Sequence, residues 1–298
     1  FPDNGRTVFK GYLFVGDVLL NESGMQNHPL TPMVDANLVR VMQGQCKSKV
    51  GLLSHKTIAQ GAESIQQEIA NLKQQGVRIA IVDAVSNDDL MRLGPALKGM
   101  PLVTAGSGVA IGLPQNFGLS PTPQASVLPK ATGLQAVVSG SCSQATNRQV
   151  AHFKASGRPT FLIAPLHLKG SWEDLVHEAL AWAQGHLATG PVLVYSTAMP
   201  ESVQAVQSQL GVVAAGHQVE QALAAIARGL VQLGVHQLVV AGGETSGACV
   251  QALAIEQLQI GPQIDPGVPW CHAHTPLGDV HITLKSGNFG TDDFFTKA

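Results

Sequence analysis

The sequence predicts an α/β protein of two domains, with mainly parallel sheets flanked by helices and a ligand cleft between the domains. Three observations lead there. Helical stripes end at glycine and give way at once to short β-branched runs, the alternation that builds parallel sheets. A proline-rich segment interrupts that alternation near the middle of the chain. Beyond it, successive strand ends carry loops rich in Gly, Ser and Thr.

Taken in order, Thr7 to Val15 reads as a strand with nothing before it to pair with, as in a domain that lacks its N-terminal part. From Gln60 to Gln75, Ile65, Ile69 and Leu72 recur at the spacing of an amphipathic helix. Gly76 ends it as a C-cap glycine would, and Val77 to Val82 follows as a strand closed by Asp83. Pro101 to Ala105 reads as another short strand. Gly112 to Gly133 then shows no period, contains Pro114, Pro121, Pro123 and Pro129, and carries a single charge, Lys130. Such a segment cannot sustain a helix and separates a first domain over 1–114 from a second over 131–298, with 115–130 as linker. The helix–glycine–strand pattern returns through Leu223, Ile226, Leu230 and Val231, then Gly234, then Val235 to Val240.

Composition narrows the function. Of 298 residues, 13% are charged against 45% hydrophobic, and 18 Lys+Arg nearly balance 20 Asp+Glu. A chain this apolar can bury a core, which excludes disorder, and the charge balance speaks against nucleic acid or an anionic membrane as partner. The apolar runs are of strand length, far short of the ~20 residues of a membrane span. No basic segment followed by an apolar stretch opens the chain, and four scattered cysteines read as free thiols, so a cytoplasmic location is expected. Sparse charge and generous apolar content leave surface for a partner subunit, which admits a homo-oligomer. Cys271-His272-Ala273-His274 invites a metal reading, but no second pair follows at ligand spacing.

Three loops in the second domain carry candidate chemistry. Ser139-Gly140-Ser141-Cys142-Ser143 follows one apolar run and precedes a helix with Thr146, Val150 and Phe153 on one face. Gly242-Gly243-Glu244-Thr245-Ser246-Gly247 follows a second, and Ser286-Gly287-Asn288-Phe289-Gly290 comes just after Lys285. Glycine lets the backbone approach an anion, hydroxyls donate hydrogen bonds, and a helix start offers unpaired N–H groups. The alternative for each is a tight turn with a Ser/Thr cap. No Gly-Lys dipeptide exists, so none is a Walker A loop. Lys285 could reach a phosphate or sit solvated at a strand end.

In the first domain, Gly106-Ser107-Gly108 to Gly112 superficially suggests a dinucleotide fingerprint, with its third glycine one residue late. Arg6, His28 and Asp83 suit a carboxylate- and hydroxyl-bearing substrate, although each alone is commonly a surface or capping residue.

At these residues the chain resembles a known family. Phe1 to Val8, Gly24-Met25-Gln26-Asn27-His28-Pro29 and Ile81-Val82-Asp83-Ala84 carry the likeness in the first domain, with Val103 to Gly108. Gly242-Gly243-Glu244-Thr245-Ser246-Gly247 and Lys285-Ser286-Gly287-Asn288-Phe289-Gly290 carry it in the second. The chain is similar to the four-carbon acid sugar kinase family, its 3-oxo-tetronate branch above all, from end to end. The resemblance implies a sugar-acid-binding first domain and a nucleotide-binding second, with ATP phosphorylating a terminal hydroxyl and Mg²⁺ accompanying it. It implies ATP contacts at Ser141, Gly243, Glu244, Thr245, Ser246 and Gly287, while Arg6, His28 and Asp83 remain the substrate candidates that their chemistry suggests. The family's chains open with an Asp-Asp-Phe-Thr-Gly-type motif that is absent here, so the catalytic carboxylate is expected to lie before Phe1. Two rival readings are an NAD(P)-dependent dehydrogenase using the Gly106 to Gly112 loop and a non-catalytic sugar-acid sensor.

Overall fold

A computed structural model describes residues 1–27, 31–163, 172–198 and 212–298. It divides into two units, Phe1–Pro121 and Thr122–Ala298. In the first, Arg6–Phe9 (β1) and Tyr12–Val15 (β2) form a hairpin that Val18–Leu19 (β3) extends into an antiparallel sheet of order β1-β2-β3. The stretch from Thr7 to Val15 is therefore two paired strands, where one unpaired strand was expected. Lys10 and Gly11 both adopt positive φ, 52° and 77°, which gives a two-residue turn the twist of its flanking strands. Lysine in the first turn position hid it, because Asn or Asp usually marks such a turn.

Leu38–Gln45 (α1) leads to Lys49–Leu53 (β4), and His55–Ile58 (α2) and Ala62–Gln74 (α3) connect it to Val77–Val82 (β5), its parallel partner. The Ile65, Ile69 and Leu72 stripe lies on α3, and Gly76 at φ 78° lets the chain leave the helix. Asn87–Ala96 (α4) starts in a capping box between Ser86 and Asp89. Leu53, Ile58, Ile65, Leu93 and Ala96 close the core of this unit.

Pro101–Ala105 is not a strand, and a tight turn over Ser107–Gly112 follows it. Here the backbone packs against α4 instead of pairing with a sheet. A β-carbon on Gly94 would collide with the Gly112 carbonyl, and one on Gly108 would lie 2.8 Å from the Phe1 ring. These glycines serve close packing, and without a strand before them or an α-helix after them they make no dinucleotide fingerprint.

The second unit is a seven-stranded mixed sheet of order β10-β11-β12-β9-β6-β8-β7. Its elements are Leu134–Ser139 (β6), Gln144–Ala155 (α5), Thr160–Leu162 (β7), Trp172–His186 (α6), Val192–Tyr195 (β8) and Val212–Gln232 (α7). Val235–Ala241 (β9), Gly243–Ala252 (α8), Gln259–Asp265 (β10), Val268–Thr275 (β11), Gly278–Lys285 (β12) and Phe294–Lys297 (α9) complete it. β12, β9, β6, β8 and β7 run parallel, while β10 and β11 form an antiparallel meander with β12. Pro262 is tolerated in β10 because that strand is at the sheet edge and its register shifts around it.

Helices cover both faces of this sheet. Val138, Val194, Leu238, Val240 and Ile282 pack against α6, α7 and α8. Val137, Leu193, Tyr195 and Val239 pack with Val150 and Phe153 of α5 and Phe294 and Phe295 of α9. Among the described residues no helix is long and apolar enough to cross a membrane.

Candidate functional site

β6, β9 and β12 are neighbours running in one direction, so the loops at 139–143, 241–247 and 285–290 emerge along the same edge. The chain passes from β6 to β7 and β8 on one side, then returns to β9 on the other, and ligands in open α/β sheets bind where the order reverses in this way. Backbone bonds join the loops directly. Gly140 and Ser141 N–H donate to the Ala241 carbonyl (2.9 and 3.2 Å), and Gly242 N–H donates to the Lys285 carbonyl (2.8 Å).

The close approach explains the glycines. Gly242 sits at φ 129°, and a β-carbon there would lie 2.7 Å from Thr245 Oγ1. On Gly140 a β-carbon would collide with the same hydroxyl, and on Gly287 with Ser141 Oγ. At Gly243, by contrast, nothing stands within 4 Å of the β-carbon position, so this glycine faces open space at the start of α8.

Ser246 N–H makes the first helical bond of α8, to the Gly242 carbonyl (2.8 Å). The N–H groups of Gly243, Glu244 and Thr245 thus have no acceptor within the helix, and they mark its positive end. Gly243 and Glu244 are exposed while Thr245 and Ser246 are buried. Thr245 Oγ1 donates to Glu220 Oε1 of α7 (3.1 Å), which commits that hydroxyl to the protein. Ser246 Oγ is buried and has no hydrogen-bond partner among the described residues. Burial pushes the Glu220 carboxyl up to about 7, and its Oε2 also has no hydrogen-bond partner among them.

The third loop is held from beneath. Lys285, fully buried, donates from Nζ to Thr146 Oγ1 (3.0 Å) and to the carbonyls of Ser286 (3.1 Å) and Gly287 (3.0 Å). It is neither a free phosphate ligand nor a solvated strand end, the two readings open to the sequence. Burial pushes its ammonium down to about 7. Thr146 Oγ1 donates to the Gly287 carbonyl as well (2.8 Å), and Ser143, the N-cap of α5, reaches the same oxygen. A trans peptide sets N–H opposite C=O, so the Ser286 carbonyl, drawn inward, turns the N–H group of Gly287 outward. Gln149, also buried, fixes the rest of the loop through the carbonyls of Phe289 (3.0 Å), Gly290 (3.1 Å) and Thr291 (3.0 Å).

Ser141, Gly243, Glu244, Thr245, Ser246 and Gly287 are thereby brought to one edge. Sequence reasoning placed Thr146 only on a helix face and passed over Gln149 and Glu220. Thr146 and Gln149 are three apart on the inner face of α5, and polar residues at core positions were the available signal.

In the first unit Asp83 is 1% exposed and both its oxygens are engaged. They accept from the N–H groups of Lys10 (2.8 Å), Gly11 (2.8 Å) and His55 (2.9 Å), tying the β1–β2 turn to the start of α2. Arg6 is half-buried, donates from Nη1 to the Asn4 carbonyl at 3.4 Å, and has no carboxylate partner among the described residues; burial lowers its pKa. His28 lies outside the described residues. Two groups that sequence reasoning passed over stand nearby: His55 Nε2 is 3.5 Å from Asp89 Oδ2, and the buried Asp89 accepts from Val85 and Ser86 N–H. Burial raises the Asp89 carboxyl, but those N–H groups and His55 outweigh it and hold its pKa below the usual range.

Fold and site together define a two-unit α/β protein whose second unit gathers three glycine-containing loops where the strand order reverses. A model of a sugar-binding N-terminal domain matches residues 1–113, and one of a nucleotide-binding C-terminal domain matches 136–295. A 3-oxo-tetronate kinase of Burkholderia multivorans is 58% identical over 100% of this chain and 70% of its own length. One from Cupriavidus necator is 53% identical over 100% and 69%. A solved structure from Salmonella typhimurium LT2, provisionally described as a tRNA synthase, is 38% identical at a TM-score of 0.77, covering 100% of this chain and 70% of that one. The chain belongs to the four-carbon acid sugar kinase family.

Proposed function

We propose that this protein uses ATP to phosphorylate a four-carbon acid sugar of the 3-oxo-tetronate type, giving the 4-phosphate. One observation carries the nucleotide half of this reading: three glycine-containing loops meet where the strand order reverses, with outward N–H groups and an open helix start. Phosphoryl transfer depends mainly on positioning and charge neutralisation, and backbone N–H groups and a helix terminus supply both without a basic surface. Ser141, Gly243, Glu244, Thr245, Ser246 and Gly287 form the ATP cradle. Gly243 and Gly287 present N–H groups, and Ser246 supplies a hydroxyl that has no partner among the described residues. Mg²⁺ accompanying ATP would supply further charge neutralisation at the phosphates.

On the sugar side, Arg6 is the favoured carboxylate partner, since its charge is unpaired among the described residues. Asp83 serves by fixing the turn at Lys10 and Gly11, its own oxygens being occupied. The dehydrogenase alternative loses its site with the packing glycines of 106–112. In the full-length protein, ATP with a 3-oxo-tetronate should yield ADP and a phosphorylated acid in equal amounts. If the acid is recovered unchanged and ADP formation does not depend on it, this reading is wrong.

A further inference from the structure

The β11–β12 hairpin gathers metal-binding side chains at the end of the sheet opposite the loops. His272 and His274 are two apart on β11 and share a face. Across the antiparallel pair, His274 is opposite Asp279 and His272 opposite His281. Cys271 belongs to the other face, where it joins the core with Ala273. One ligand atom each from His272, His274 and Asp279 lies within 4.8 Å of the others. His274 Nδ1 is 2.6 Å from Asp279 Oδ1, while the His272 and His274 rings meet edge to face at 4.9 Å. His281 is occupied elsewhere, its Nε2 bonded to the Pro129 carbonyl at 2.9 Å.

A second observation comes from His272 itself. Its side chain is only 5% exposed, and Nε2 has no hydrogen-bond partner among the described residues. Asp279 Oδ2 is the nearest acid at 3.5 Å, beyond a good hydrogen bond. A buried ring nitrogen without a partner is costly, and here it points at an exposed histidine and carboxylate. We propose that His272, His274 and Asp279 bind a divalent transition-metal ion of the Zn²⁺ or Co²⁺ class. Two imidazoles and one carboxylate, with the remaining position open to water, match the donor preference of such ions rather than of Mg²⁺. Six residue steps along β12 take Asp279 to Lys285, about 20 Å at strand rise, so the ion sits apart from the nucleotide loops and clamps β11 to β12. A third ligand that the sequence did not announce is supplied across the hairpin by Asp279.

Titration of the metal-free chain with CoCl₂, followed by visible absorption and by metal analysis after dialysis, tests this. One Co²⁺ per chain should bind, Zn²⁺ should displace it, Mg²⁺ should not, and Zn²⁺ should raise Tm. His274→Ala and Asp279→Asn alter exposed side chains, so the fold should persist by circular dichroism while Co²⁺ affinity falls at least tenfold in each. Absence of Co²⁺ binding by the unaltered chain, or variants that bind Co²⁺ as tightly as the unaltered chain does, would overturn the proposal.

Discussion

Ser141 occupies the space in which a β-carbon on Gly287 would sit, so the first and third loops of the nucleotide unit can meet only because residue 287 is glycine. Gly287→Ala should therefore lower stability by about 1–3 kcal/mol, the usual effect of overpacking. Ser141→Gly in the same chain should recover part of that loss. Denaturant unfolding of the two single variants and the double variant measures the coupling. Strictly additive effects would mean the loops do not touch as described.

Lys285 acts on the site through the carbonyls of Ser286 and Gly287. Lys285→Met removes a buried ammonium that has no carboxylate partner among the described residues, so the net change in stability should be small, within about 1 kcal/mol. ATP affinity should nevertheless fall at least tenfold, because the loop carbonyls are no longer drawn inward. Calorimetry beside thermal melting separates the two effects. A variant that keeps full affinity would remove Lys285 from the account.

Glu220 should make stability depend on pH. Its folded pKa, about 7, is raised above the ordinary glutamate value, so its contribution is fully present below about 4.3 and is lost as pH rises through 7. Glu220→Gln does not titrate and keeps an acceptor for Thr245. Its stability advantage over the unaltered protein should grow from pH 5 to pH 8 and reach on the order of 2 kcal/mol. Melting curves across that range would show it, and a pH-independent difference would contradict it.

Asp83→Ala should leave three backbone N–H groups without their acceptor, at a cost of about 2–4 kcal/mol. The loss belongs to the first unit, so ATP affinity at 20 °C should stay within twofold. A tenfold loss of ATP affinity would show that Asp83 matters beyond its own unit.

Much of this architecture was legible from periodicity and glycine placement. The stripe Ile65, Ile69, Leu72 and the run Val77 to Val82 became α3 and β5 because apolar spacing and a left-handed glycine both act locally. The three glycine-containing loops were legible for the same reason, as glycine and hydroxyl residues at strand ends. What escaped was set by partners distant in sequence. Asp83 looked like a substrate group, and only the folded chain brings Lys10 and Gly11 to it from 73 and 72 residues away. Lys285 read as a phosphate ligand or a solvated strand end because nothing local announces Thr146 beneath it. The β10–β11–β12 meander was missed although Pro266-Gly267 and Pro276 to Gly278 punctuate it, since the helix–strand alternation before it favoured a parallel continuation.

The central claim is that ATP is held at the open start of α8 between the three loops. Gly243 has free space around its β-carbon position, so Gly243→Val can fold normally while obstructing that helix start, and Ser246→Ala removes the hydroxyl without a partner. Isothermal titration of MgATP into the unaltered chain and into the double variant is the direct measurement. One site is predicted in the first, with affinity at least a hundredfold weaker or undetectable in the second and circular dichroism unchanged. Equal affinity in the two proteins would place the nucleotide elsewhere and contradict the account.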